Sequence, residues 1–274
     1  DKFERVVAAF EALANSLHIA HFTAIPLSAL DGDGVVAHTE RTSWFKGAAL
    51  LPHLESLELQ DALHTEAATE SEQAHVAVQW VTRDAADDHV RWATGDVAEA
   101  ALSVGEHVTI FPSGATAVVA AIRTGRGDVT RAQPGEAVAV RFDRQVDVAR
   151  GDWIIATRAT APAPTLTQRA TATLAWLDSA PLTVGRRYVV RHGARWLPAR
   201  VSTVSSRLDL ANATWTNAAD DDVARAVNAN DLVRAEIEFA QALPLAAFAD
   251  SATRGAFVLV DPSTNATAAA GMIQ

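Results

Sequence analysis

The chain has 274 residues, 49% of them hydrophobic, and a formal net charge of −10. That is enough chain for the cores of two or three domains, and too apolar for a disordered segment. The acid excess argues against general affinity for the nucleic-acid backbone, and the absence of cysteine excludes disulfides, thiolate chemistry and cysteine-based zinc sites. No apolar run reaches the roughly 20 residues that span a bilayer and no signal segment opens the sequence, so a cytoplasmic setting without a membrane partner is expected.

Taken in order, residues 1–20 place Phe3, Val6, Val7, Phe10, Leu13 and Leu17 on one helical stripe, starting without a cap at Asp1. His21 to Leu27 is an apolar run suited to a buried parallel strand, followed by a loop from Ser28 to Gly34. Trp44 to Leu59 reads as a second helix with Leu50, Leu51, Leu54 and Leu57 inward and Pro52 in its first turn. Asp61 to Ala74 is a polar, acidic linker.

From Val76 to Ile155 the pattern changes to short alternating runs: His107–Phe111, Ala117–Ile122, Ala137–Phe142 and Trp153–Ala156. Turns rich in Gly, Pro and Asp separate them, at Pro112-Ser113-Gly114, Gly125 to Asp128, Pro134-Gly135 and Arg150-Gly151-Asp152. Period-two alternation broken at such intervals predicts a small closed β-barrel. Arg158 to Gln168 is an extended connector rich in Pro and Thr. A second barrel is predicted from runs at Ala170–Leu177, Arg187–Arg191, Trp196–Ser202, Asp231–Phe239 and Ala256–Val260, with a short helix or loop over 218–227.

Few side chains announce chemistry. His18 and His21 lack further ligands nearby, so exposed histidines are a better reading than a metal site. Asp31-Gly32-Asp33-Gly34 fails as a calcium loop, because the sixth place is Val36 and the twelfth Thr42. Arg150-Gly151-Asp152 reads as a turn, and the acceptor patterns at Asn212 and Asn265 are idle in a cytoplasmic chain. No nucleophile elbow and no acid–base carboxylate pair stands out, so no catalytic residue is assigned. Between Ser179 and Leu208 stand Arg186, Arg187, Arg191, Arg195, Arg200 and Arg207 with no acid among them. A solvated barrel face and a docking surface for an acidic partner, centred on Arg186, Arg187, Arg191 and Arg195, both fit that run.

Several stretches carry a family resemblance. Ile25-Pro26-Leu27-Ser28-Ala29-Leu30 before Gly32-Asp33 resembles the last guanine-contacting motif of translation-factor-type GTPases. Pro112-Ser113-Gly114, Pro134 to Val138 and Val146 to Asp152 look like the second domain of that class. Thr253 to Ile273, with Trp44-Phe45, Gly47 and Leu50-Leu51, resembles the GTPase subunit of bacterial sulfate adenylyltransferase, and the resemblance runs from residue 1 to Ile273.

The resemblance implies a mainly β fold: a remnant of an α/β P-loop G domain over 1–60, a linker over 61–73, a first barrel over 74–158, a linker over 159–167 and a second barrel over 168–274. It implies a subunit that pairs with a small catalytic subunit. That partner makes adenylyl sulfate and pyrophosphate from ATP and sulfate, and GTP hydrolysis on the larger subunit drives the step. Ser28, Ala29 and Leu30 are then the residual guanine contact. GTP and Mg²⁺ belong to the parent protein. No Gly-x-x-x-x-Gly-Lys-[Ser/Thr], no Asp-x-x-Gly before residue 28 and no Asn-Lys-x-Asp is present. The chain is therefore expected to be a C-terminal piece that neither holds GTP tightly nor hydrolyses it. The family's usual Ser-Gly is replaced by Glu99-Ala100. The alternatives are a translation-factor-like piece contacting RNA, which the charge disfavours, and a two-barrel scaffold that does no chemistry.

Overall fold

The computed structural model describes residues 2–16, 19, 21–57, 73–84, 87, 90–158, 164–210, 212, 214–217 and 226–274. The expectations for Leu17, His18, residues 58–72, residues 159–163 of the connector and residues 218–225 lie outside the described residues. The chain divides into two compact units, Asp1–Ala62 and Leu63–Gln274. Among the described residues no helix is long and apolar enough to cross a membrane.

The smaller unit holds helix α1 (Lys2–Ser16), a single 3-10 turn at Glu40–Thr42 and helix α2 (Leu50–Ser56). Of the predicted stripe on α1, Phe3 meets the rings of Trp44 and Phe45 at 5.2 and 5.8 Å, and Phe10 meets Phe22 at 5.1 Å. Val6 and Leu13 stay exposed. The predicted strand His21–Leu27 does not form. A strand exists only through partners for its N–H and C=O groups, and no described segment pairs with this one. The second helix is also shorter than Trp44 to Leu59. Gly47 interrupts its first turns, and the helix begins only where the Leu50 and Leu51 N–H groups donate to the carbonyls of Gly34 and Val35 at 2.9 and 2.8 Å. Pro52 sits in the first turn, as its missing N–H requires. Leu51, Leu54 and Leu57 are exposed rather than inward.

The larger unit is mainly β, with two six-stranded barrels. The first comprises β1 (His75–Ala77), β2 (Trp80–Arg83), β3 (Arg91–Ala98), β4 (Leu102–Ser103), β5 (His107–Phe111), β6 (Ala115–Thr124), β7 (Gly127–Val129), β8 (Arg131–Ala132), β9 (Ala137–Phe142) and β10 (Trp153–Ala156). The ring runs β1-β10-β5-β6-β9-β3 and closes where β3 returns to β1. At that closure a side chain on Gly95 would lie 2.3 Å from the Ala77 carbonyl oxygen, so only glycine allows the close approach. Inward residues Val76, Val108, Ile110, Ile122, Val140 and Ile154 fill the ring, each contributing roughly 1.5–3 kcal/mol by leaving water.

The second barrel comprises β11 (Thr167–Trp176), β12 (Arg187–His192), β13 (Arg195–Asp209), β14 (Thr214–Asn217), β15 (Leu232–Leu243), β16 (Ala256–Val260) and β17 (Thr267–Ile273), with helix α3 (Ala252–Gly255) before β16. Its ring runs β12-β16-β17-β11-β15-β13 and closes through β12 and β13, while β14 pairs outside the ring. Trp176, Tyr188, Leu174, Ile237 and Leu259 are buried at its centre, and Trp176 donates from Nε1 to the Ala180 carbonyl at 2.8 Å. Sequence alternation places most of these strands. It shortens β13 and β15, whose register shifts near Thr203 and Ser206 break the period.

Candidate functional site

The loop whose sequence resembles a guanine-contacting motif is tied down by its own polar residues. The Ser28 hydroxyl donates to Asp31 Oδ2 at 3.0 Å and accepts from the Asp31 N–H at 3.3 Å. The Ser28 N–H donates to the Asp33 carbonyl and the Gly32 N–H to the Ser28 carbonyl, at 2.9 and 2.8 Å. Arg41 Nη1 bridges Asp31 Oδ2 and Asp33 Oδ2 at 2.8 and 3.0 Å, and Thr39 donates to Asp33 Oδ1 at 2.7 Å. Gly34 (φ +72°) closes the turn, since a side chain there would sit 2.4 Å from the Pro26 carbonyl oxygen. Asp31 and Asp33, weighed from sequence as calcium ligands, thus serve Arg41 and the loop. Ala29 and Leu30 stand exposed at its tip, Leu30 to 95%. The loop presents an exposed apolar tip, and its carboxylates are bound to Arg41.

The arginine run separates into two sets. Arg186 Nη2 lies 2.6 Å from Asp261 Oδ2, whose carboxyl is held below the usual range by hydrogen bonds from Ser263. Arg195 reaches into the first barrel, where it pairs with Asp152 and donates to the Gly151 carbonyl at 2.9 Å. Arg200 pairs with Glu238, and Arg207 faces Asp231 at 3.7 Å. Arg187 and Arg191 remain exposed, and Arg191 lies over the half-exposed Trp196 ring at 5.7 Å. The sequence brought these arginines together by number, whereas the strand register puts Arg187, Arg191 and Arg200 on one face and Arg195, opposite His192, on the other.

A polar seam joins the barrels, and the sequence pattern did not single it out. Trp153 on β10 is 1% exposed and lies between two histidines, 5.5 Å from the His75 ring and 4.9 Å from the His192 ring. His75 Nε2 is 2.6 Å from Thr253 Oγ1, and its Nδ1 is 3.4 Å from Glu99 Oε2. Arg254 Nη2 approaches the same Glu99 oxygen at 3.9 Å. His192 Nε2 donates to the Arg254 carbonyl at 2.9 Å, which leaves its Nδ1 as an unprotonated lone pair in the neutral ring. Burial pushes His192 down to about 4, aided by the charges of Arg254, His75 and Arg195 against the Arg254 carbonyl bond. For Glu99, burial works upward, but the His75 bond and charge, the Ser251 bond and the Arg254 charge together hold it below its ordinary value.

Two signals in the sequence point to this seam. His192 follows Tyr188 and Val190 at core parity on β12, and Trp153 to Ala156 is apolar on both faces of one strand. Glu99 adopts φ +65° and turns its carboxylate toward His75.

Elsewhere, a groove of about 890 Å³ on the first barrel mixes Arg83, Arg91, Arg141 and Arg144 with Asp87 and Asp147. Among the described residues no group of three or more His, Asp or Glu suits a metal ion.

Comparison with known proteins accounts for both units. Residues 169–274 match the family model described as GTP-eEF1A C-terminal domain-like. The chain is 35% identical over 276 residues to the bifunctional enzyme CysN/CysC of Mycobacterium tuberculosis, covering 100% of the chain and 43% of that protein. It is 33% identical over 273 residues to sulfate adenylyltransferase subunit 1 of Laribacter hongkongensis, covering 99% of the chain and 53% of that protein. Among solved structures, sup35 complexed with GMPPNP superposes with a TM-score of 0.63 at 20% identity, over 90% of this chain and 57% of that one, and shows the fold. The chain spans about half the length of the curated relatives it matches.

Proposed function

We propose that this chain, a homologue along its whole length of part of sulfate adenylyltransferase subunit 1, supplies the two-barrel platform on which a catalytic partner subunit sits. The whole-chain identity to that subunit and to the bifunctional CysN/CysC enzyme carries the reading. In this reading the partner joins ATP to sulfate, giving adenylyl sulfate and pyrophosphate in cytoplasmic sulfate assimilation. GTP hydrolysis with Mg²⁺, in the wider protein, drives the step. The described loop offers a guanine only its exposed tip at Ala29 and Leu30, since both backbone groups of Ser28 are bonded within the loop. The sequence holds no phosphate-cradling Gly-x-x-x-x-Gly-Lys-[Ser/Thr] loop, and phosphate contacts supply most nucleotide affinity.

Calorimetric titration tests this. The small catalytic subunit of a sulfate adenylyltransferase should bind the chain with Kd of about 10 µM or tighter without nucleotide. GTP with Mg²⁺ alone should give no micromolar binding. Failure of the subunit to bind, or tight GTP binding, would overturn the reading.

The docking surface follows from what the arginines do. Arg186 and Arg195 already hold Asp261 and Asp152, so the exposed pair Arg187 and Arg191 beside Trp196 is the part left for an acidic partner. Arg187→Glu with Arg191→Glu should weaken the partner complex by about tenfold or more at low salt, less at high salt. Equal affinity for variant and parent would remove this surface from the reading.

A further inference from the structure

We infer that the seam between the barrels is an acid-sensitive latch, in which protonation of His192 loosens one barrel from the other while each barrel stays folded. The geometry favours only the neutral ring. His192 is 0% exposed, with Nε2 committed to the Arg254 carbonyl and Nδ1 buried with no hydrogen-bond acceptor. A proton added at Nδ1 creates a buried donor without a partner.

It also adds a charge beside two guanidinium groups. Arg254 faces His192 from α3 and Arg195 from β13, and the titratable ring of His75 faces it from β1. The acids of the seam are engaged elsewhere: Glu99 with His75 and Arg254, and Asp152 with Arg195 and the Ala149 N–H. Asp250 lies near Arg254. The seam is therefore the place where acid adds repulsion, whereas the barrel interiors are apolar.

The expected response has a definite slope. The free ring takes up its proton near the ordinary value of 6.5 and the latched ring only near about 4. Between those values the open-to-closed ratio should rise by up to about tenfold per pH unit, the signature of one proton bound on opening.

The chain lacks cysteine, so a label pair is simple to place. Asp147→Cys on the first barrel and Val184→Cys on the second are both exposed. Spin-label distances should form one narrow distribution at neutral pH. A second population should grow between pH 6.5 and 4 with the one-proton slope, and His192→Gln should abolish it. If that variant does not fold, the ring itself decides: by NMR the His192 signal of the parent must titrate together with the distance change. An unchanged distribution in the folded chain down to pH 4, opening that persists in His192→Gln, or opening uncoupled from the His192 signal would each overturn the latch.

Discussion

Trp153→Ala should lower the unfolding free energy of the two-barrel unit by about 3–5 kcal/mol, the range for a large aromatic deleted from a packed interior. Trp153 shares a buried cluster with Phe111 and Ile155, while its neighbours Ile154 and Ala156 belong to the interior of the first barrel. One strand thus serves two apolar surfaces. A side chain on Gly193 would lie 2.8 Å from Trp153 Cζ2, so the second barrel presses close and cannot easily refill the space. The indole Nε1 has no hydrogen-bond partner, so the loss is one of packing and cavity alone. Urea unfolding at neutral pH is the measurement. Trp153→Phe should recover more than half of the loss. A loss below about 1 kcal/mol for alanine would mean the ring is not a packed element of the seam.

Arg195→Glu should cost a comparable amount, about 3–5 kcal/mol, because it breaks a shielded ion pair and sets two carboxylates together. The side chains of Arg195 and Asp152 are 18% and 12% exposed. The guanidinium also donates to the Gly151 carbonyl and, at 3.0 Å, to Gln241 Oε1, so one residue ties a turn of the first barrel to β15 of the second. A double-mutant cycle separates the pair from its surroundings. Asp152→Arg combined with Arg195→Glu should regain only part of the loss, since Asp152 Oδ2 also accepts the Ala149 N–H at 2.8 Å. Additive losses in the cycle would show that the pair contributes nothing as a pair. The same geometry bears on partner binding: a charge reversal at Arg195 reports on the seam, and Arg187 and Arg191 report on docking.

Where short apolar runs stand between turn residues, sequence and structure agree closely: His107–Phe111, Ala137–Phe142, Trp153–Ala156 and Ala256–Val260 are strands at those residues. Composition and spacing were enough there because a closed ring has an inside and an outside along each strand. The smaller unit was read less well. His21–Leu27 is apolar enough for a strand, but local composition cannot supply a pairing partner. Trp44–Leu59 has helical spacing, yet Gly47 and the loop carbonyls of Gly34 and Val35 decide where the helix begins. The candidate loop was found by motif, and its bracing by Arg41 was not, because that contact spans ten residues of irregular chain. The seam was least legible. His75 meets Thr253 across 178 residues, a relation no periodicity encodes.

The order of strands in the second ring also bears on how the chain is made. β11 is an early strand of that barrel, yet one of its neighbours is β17, with Ala172 opposite Ile273. Ala268, Ala269 and Ile273 belong to the same buried cluster as Trp176 and Tyr188. During synthesis the edge of β11 therefore waits unpaired until residue 273 has left the ribosome, whereas the first ring is complete once β10 has emerged. Until then the emerging chain holds one finished barrel and one open sheet, whose unpaired edge is the surface a chaperone would meet.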